Sequence, residues 1–367
     1  MIRRQWLACG SMALALTAAP VRTDELQTGT PDLQSAGSLA FGPNGVLFIA
    51  DPKGAAIFAV DTGDTGGDAE KAVINVDDVQ AVVAGALGTT PGDALVNDLA
   101  VNPASGVAYL SVSRGRGPEG TPIILKIDGK GEVSELSLEK VKFAKAELPN
   151  APEDKIVGEG RRRGNPRMES ITDLAFVDGR LFIAGLSNEE FASKLRSIPY
   201  PFETPDEGAS IEIYHGSHGA YETRSPVRTF AVVDIEDAPH LLAAYTCTPL
   251  VKIPVAMLKP GEKVRGETIA ELGNHNRPLD MIIYEKDGAG YILIANNARG
   301  LMKMPVEKAD EIEAITERIE DTAGLPYETV EFDGSVGQLD RLNSDHALLL
   351  TVNEAGDAEK LVTMELP

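Results

Sequence analysis

Apolar residues recur along this chain in short runs set off by turn residues. Residues 281–284, 291–295 and 300–306 are three such runs, separated by Lys286-Asp287-Gly288 and by Asn296-Asn297. Runs of this length rich in Ile, Leu and Tyr, with Asp-Gly between them, predict an antiparallel meander. The same order of first strand, tight turn, second strand, loop and third strand returns five more times. The first unit has 39–41, 46–50 and 56–60, and the second 99–101, 107–112 and 122–127. The third has 174–176, 181–184 and 209–214, and the fourth 230–233, 241–245 and 249–255. The stretch above is the fifth, and 339–342, 348–352 and 360–366 form the sixth.

A four-stranded antiparallel sheet with two apolar faces cannot bury both alone, and radial stacking buries each against a neighbour. The pattern therefore predicts an all-β, six-bladed β-propeller with four-stranded blades. A seventh blade remains open if 80–90 and 134–143 hide an irregular unit. Residues 72–76 and 327–332 can supply outer strands. Segments 137–147 and 307–320 read as partly helical, while 153–167 and 188–207 read as Pro-, Gly- and charge-rich loops.

The first residues form an export signal over 1–24. Arg3 and Arg4 precede an apolar stretch, and Thr17-Ala18-Ala19 supplies small residues near a cleavage point. The signal is of the twin-arginine or the general secretory kind. A single propeller domain is expected over 30–367, periplasmic or secreted, with no membrane span in the mature chain. Cleavage near Ala19 removes two of 34 Lys+Arg and none of 56 Asp+Glu, moving the formal net charge from −22 to −24. Such a surface repels phosphate backbones, so nucleic-acid binding is disfavoured. One cysteine, Cys247, remains after cleavage, so no internal disulfide holds the fold.

In a propeller, the start of each innermost strand and the loop between second and third strands open onto one face, here the top face. From the strand starts it gathers Asn97, Asp98, Glu169, Asp173, His275, Asn276, Arg277 and Asp280. From the loops it gathers Arg114, Asn188, Cys247, Asn296 and Asn297. Asn97, Asp98, Asp173 and Asp280 offer converging oxygens of the kind a hard cation such as Ca2+ takes. Asp before a strand is also a common turn cap. The remaining residues are candidate ligand contacts. Arg161, Arg162, Arg163 and Arg167 form a basic cluster able to grip carboxylates. His215 and His218 are expected in an exposed outer turn. His240 and His346 fall on the opposite face, so no paired-histidine base is visible.

Residues 38–51, Ser-Leu-Ala-Phe-Gly-Pro-Asn-Gly-Val-Leu-Phe-Ile-Ala-Asp, resemble the repeat of NHL and SMP-30/gluconolactonase propellers. Val96-Asn97-Asp98-Leu99 is similar to segments that supply central calcium ligands in the paraoxonase and SMP-30 branch. The resemblance implies a six-bladed fold and a Ca2+ that polarises a lactone carbonyl. Ser38 and Gln338 stand where such relatives might carry acids. The favoured reading is a non-catalytic propeller binding a small molecule or a periplasmic protein partner. The alternatives are a Ca-dependent lactonase and an accessory subunit of a periplasmic redox enzyme.

Overall fold

The computed structural model describes residues 26–117, 119–160 and 163–367. The expected export signal and two of the clustered arginines, Arg161 and Arg162, lie outside them. Six sheets form six blades, numbered by their first strand in the chain. Their innermost strands are Leu39–Phe41, Ala94–Val101, Asp173–Val177, Val227–Ile235, Pro278–Lys286 and Ser335–Arg341. Each begins an antiparallel meander running outward from the axis.

The blades do not follow the chain around the ring. Neighbouring inner strands give the order 1–3–4–5–6–2 and back to 1. After the third strand of blade 1, Ala56–Asp61, the chain leaves to build all of blade 2. It then returns as Val141–Glu147, the fourth strand of blade 1. Blade 6 has three strands, and Val76 adds to its outer edge by pairing with Leu361. Thr363 extends this seam through the backbone of Ile74 and the side chain of Asn75. The end of the chain is thus sewn to the segment that follows blade 1.

Six apolar clusters fill the six gaps between neighbouring blades. The second strand of blade 1, Val46–Asp51, shows why its sequence is continuously apolar. Leu47 and Ile49 face blade 2, while Phe48 and Ala50 face blade 3. A strand covered on both faces has no polar side to keep.

Several local expectations are corrected. Segment 137–147 contains the strand Val141–Glu147, because tertiary pairing overrides its helix-friendly Lys, Ala and Glu. Segment 307–320 holds only the short 3-10 turn Val306–Ala309. The α-helix is Val79–Leu87, capped by Asp78 and ended by Gly88 at φ +60°. Its Val79, Val83 and Leu87 pack between blades 2 and 6, so 80–90 is no seventh blade. The loop expected at 188–207 contains Ser193–Pro199, the third strand of blade 3. Its buried Lys194 and Arg196 hide it from an apolar pattern.

Candidate functional site

Each innermost strand brings one residue to the axis at its top end: Ser38, Asp98, Asp173, Thr229, Asp280 and Gln338. In four strands the pairing register slips at the residue just before, at Asn97, Arg228, Leu279 and Gly337. A bulge at a common place turns the following side chain inward. At Gly337 a Cβ would stand 2.5 Å from Val352 Cγ1, so that bulge requires glycine.

The six residues line a small top-face pit of about 130 Å³. Asp98, Asp173 and Asp280 also floor a wider channel of about 570 Å³ that follows the inner strands toward the opposite face. The carboxylates reach across the blade boundaries. Asp98 Oδ2 accepts from Leu39 N at 2.7 Å and Asp173 Oδ2 from Phe230 N at 2.9 Å. Asp280 Oδ2 accepts from Leu339 N at 2.9 Å, and a fourth acid, Asp340, accepts from Val101 N at 2.6 Å. Each bond points the same way around the ring. The other oxygens of Asp173 and Asp280 accept from the next residue's own N–H, both at 2.8 Å. With its amide oriented to satisfy its neighbours, Gln338 donates to both Asp280 Oδ2 and Asp98 Oδ1 at 2.9 Å.

Burial pushes all four carboxyls up, Asp173 and Asp340 to about 6. Asp98 and Asp280 rise well above the usual range, first by burial and further by the nearby Asp173 and Asp340, with Asp98 adding to the rise at Asp280. Each keeps some surface toward the cavities, and water there tempers the burial cost. Low-dielectric surroundings disfavour charge on all four, and mutual repulsion adds to this for Asp98 and Asp280.

The axial ring as it stands does not fit a calcium ion. Among the described residues, no three carboxylate oxygens of the ring lie within 4.8 Å of one another. Ca2+ takes six to eight oxygens, but here backbone N–H groups and the Gln338 amide occupy them. Asn97 turns its amide to Ala36 O and Ser113 Oγ, 2.9 Å from each.

The remaining expected residues divide. Asn276, Asn296 and Asn297 hold their own loops: Asn296 Nδ2 donates to Asn276 Oδ1 at 2.8 Å, and Asn297 Oδ1 accepts from Arg277 N at 2.6 Å. Arg114 and Asn188 are exposed at the ends of second strands of blades 2 and 3. Glu169 sits 3.9 Å from Arg228, whose side chain lines the pit. Burial lowers the Arg228 pKa, and nearby Arg277 lowers it further. Among the described residues no hydrogen bond or ion pair engages the Arg277 guanidinium. His275 is exposed beside it.

Cys247 has an unexpected setting. Its sulfur and a ring nitrogen each of His215 and His218 lie within 4.8 Å of one another. His215 is buried rather than exposed, since 209–214 belongs to the fourth strand of blade 3, Ala209–His215. Strand direction alternates outward, so counting Ser193–Pro199 as the third strand carries His215 to the top face beside Cys247. Cys247 holds φ +89°, a left-handed backbone that costs a non-glycine residue on the order of 1–3 kcal/mol. Burial raises its thiol pKa, with Glu222 and Glu271 adding to the rise.

No protein-family model matches the sequence, and no curated protein matches it. Among solved structures, the PQQ-bound aldose sugar dehydrogenase of Streptomyces coelicolor is 14% identical, with a TM-score of 0.33 over 92% of this chain and 96% of that one. Drosophila Semaphorin 1b is 9% identical, with a TM-score of 0.38 over 93% and 87%. Kuenenia stuttgartiensis hydrazine synthase is 12% identical, with a TM-score of 0.35 over 92% and 97%. Likeness at this level says nothing of activity or ligand. The six sheets themselves define the chain as a β-propeller.

Proposed function

We propose that the protein is an exported, non-catalytic binding propeller that takes a carboxylate-bearing ligand on its top face. The observation that supports this most is Arg228 in the wall of the axial pit with exposed Arg277 close enough to lower its pKa, in a protein of net charge −22. Thr172 Oγ1, buried in the pit wall without a hydrogen-bond partner among the described residues, adds an unanswered polar group there. At about 130 Å³ the pit holds a terminal group and not a whole ligand, which typically needs 300 Å³ or more. The ligand therefore lies across the rim and dips one end toward the axis. Guanidinium pairs recognise carboxylates in bidentate geometry, and partial burial strengthens such bonds. A lactonase mechanism gains no support from a ring whose carboxylate oxygens already accept backbone N–H bonds.

A thermal-shift screen of carboxylic and sugar acids, including acidic peptides, tests the reading. Hits should weaken about tenfold or more in Arg277→Gln, as loss of one charge-assisted contact worth about 1.5–3 kcal/mol implies. Turnover in a parallel lactone and ester screen with Ca2+ supplied would overturn it.

A further inference from the structure

We propose that His215, His218 and Cys247 bind one borderline-to-soft transition-metal ion of the zinc or copper type. The site lies at the top rim between blades 3 and 4, apart from the axial pit. His215 ends the outer strand Ala209–His215, His218 sits in the turn that follows, and Cys247 comes from the loop before Pro249–Pro254. Two imidazoles and one thiolate are the donor set preferred by zinc and copper over calcium or magnesium.

Independent features point to a cation here. His215 is 1% exposed, yet its Nδ1 has no hydrogen-bond partner among the described residues. That nitrogen lies 3.1 Å from Glu222 Oε1, and the ring's Nε2 lies 2.9 Å from Thr248 Oγ1. Buried Glu271, whose Oε1 accepts from Gly216 N, has an unpartnered Oε2 beside the cluster. Among the described residues nine buried side-chain atoms lack hydrogen-bond partners, and two of them border this cluster. The two imidazole centroids stand 3.8 Å apart, which brings both rings to one place.

Glu222 supplies the supporting carboxylate. Its Oε1 is 2.5 Å from His218 Nδ1, leaving Nε2 of that ring for a ligand, and Ser225 Oγ holds Oε2. Carboxylates placed so orient metal-bound histidines, and their loss costs about 10–100-fold in metal affinity. The unfavourable backbone at Cys247 is consistent with a residue held in place for its sulfur.

The test uses the purified mature protein, reduced and stripped with a chelator, then titrated with Co2+ and displaced by Zn2+. A single equivalent of Co2+ should give thiolate-to-cobalt charge-transfer absorption that Zn2+ abolishes. Cys247→Ser should lose that absorption, and Glu222→Gln should weaken Zn2+ about 10–100-fold. His218→Ala, at a half-exposed position that need not disturb folding, should weaken it at least tenfold. Folding of each variant is read from its circular dichroism. A folded wild type that shows no thiolate band, or a band that survives in Cys247→Ser, would overturn the proposal. The anion screen above uses different residues, so failure of either idea leaves the other standing.

Discussion

Replacing Asp173 by Asn separates two accounts of the axial ring. Asp173 titrates near 6 in the folded protein against 3.8 when unfolded, because burial disfavours its charge. Below 3.8 it is protonated in both states and contributes no penalty. As the pH rises toward 6 the unfolded chain releases this proton while the folded one keeps it. The protonated-state stability is therefore lost across that window, and beyond it the loss is constant. About two pKa units at about 1.4 kcal/mol each give ~3 kcal/mol, reduced to about 2–3 by water in the cavities. Asn keeps the shape but offers one acceptor oxygen where Phe230 N, Leu174 N and Ser38 Oγ now donate to two, a loss that does not titrate. Asp173→Asn should therefore lie up to about 2 kcal/mol below wild type near pH 4 and gain about 2–3 kcal/mol relative to it by pH 7. Urea unfolding at several pH values between these limits reads the difference. A variant that gains nothing on wild type between pH 4 and pH 7 would refute the reasoning, because the folded carboxylate would then be ionised and compensated throughout.

Two further outcomes test the packing and the hidden strand. Leu241→Ala removes a fully buried side chain between blades 3 and 4 and should cost about 2–5 kcal/mol in urea unfolding; a cost under about 1 kcal/mol would contradict that interface. Lys194 Nζ lies 2.8 Å from Glu189 Oε2, with 1% of the lysine side chain exposed against 32% of the glutamate. Glu189→Gln leaves the buried ammonium uncompensated and should cost about 3–5 kcal/mol, while Lys194→Met leaves a carboxylate that reaches water and should cost clearly less. Equal costs would show that burial does not govern the pair.

The architecture was legible in the sequence because both faces of the second strand in each blade are largely buried. Stretches such as Val46–Asp51, Ala289–Asn296 and His346–Val352 therefore carry a strong apolar signal. Outer strands carry a weaker one, and Val141–Glu147 and Ser193–Pro199 passed as helix and loop. The ring order was illegible, since nothing local records that blade 2 is built between the third and fourth strands of blade 1. The axial carboxylates Asp98, Asp173 and Asp280 were found from their place before a strand. Their N–H partners in the next blade were not, because those contacts span 57 or 59 residues in sequence. His215 was missed through a parity error. One uncounted strand reverses the end of the next, which moved that histidine from the top face to the bottom.

The account holds that protein hydrogen bonds alone close the axis, and calcium decides the matter most directly. Melting should be compared in excess Ca2+ and in excess EGTA, with bound calcium measured on the same protein. Unchanged melting, within about 1 °C, and no stoichiometric calcium are the expected results. Ca2+ bound at 100 times its dissociation constant would stabilise the fold by about 2.7 kcal/mol. For a chain of this size that raises the melting temperature by roughly 4 °C, and such a rise with one bound calcium would contradict the account.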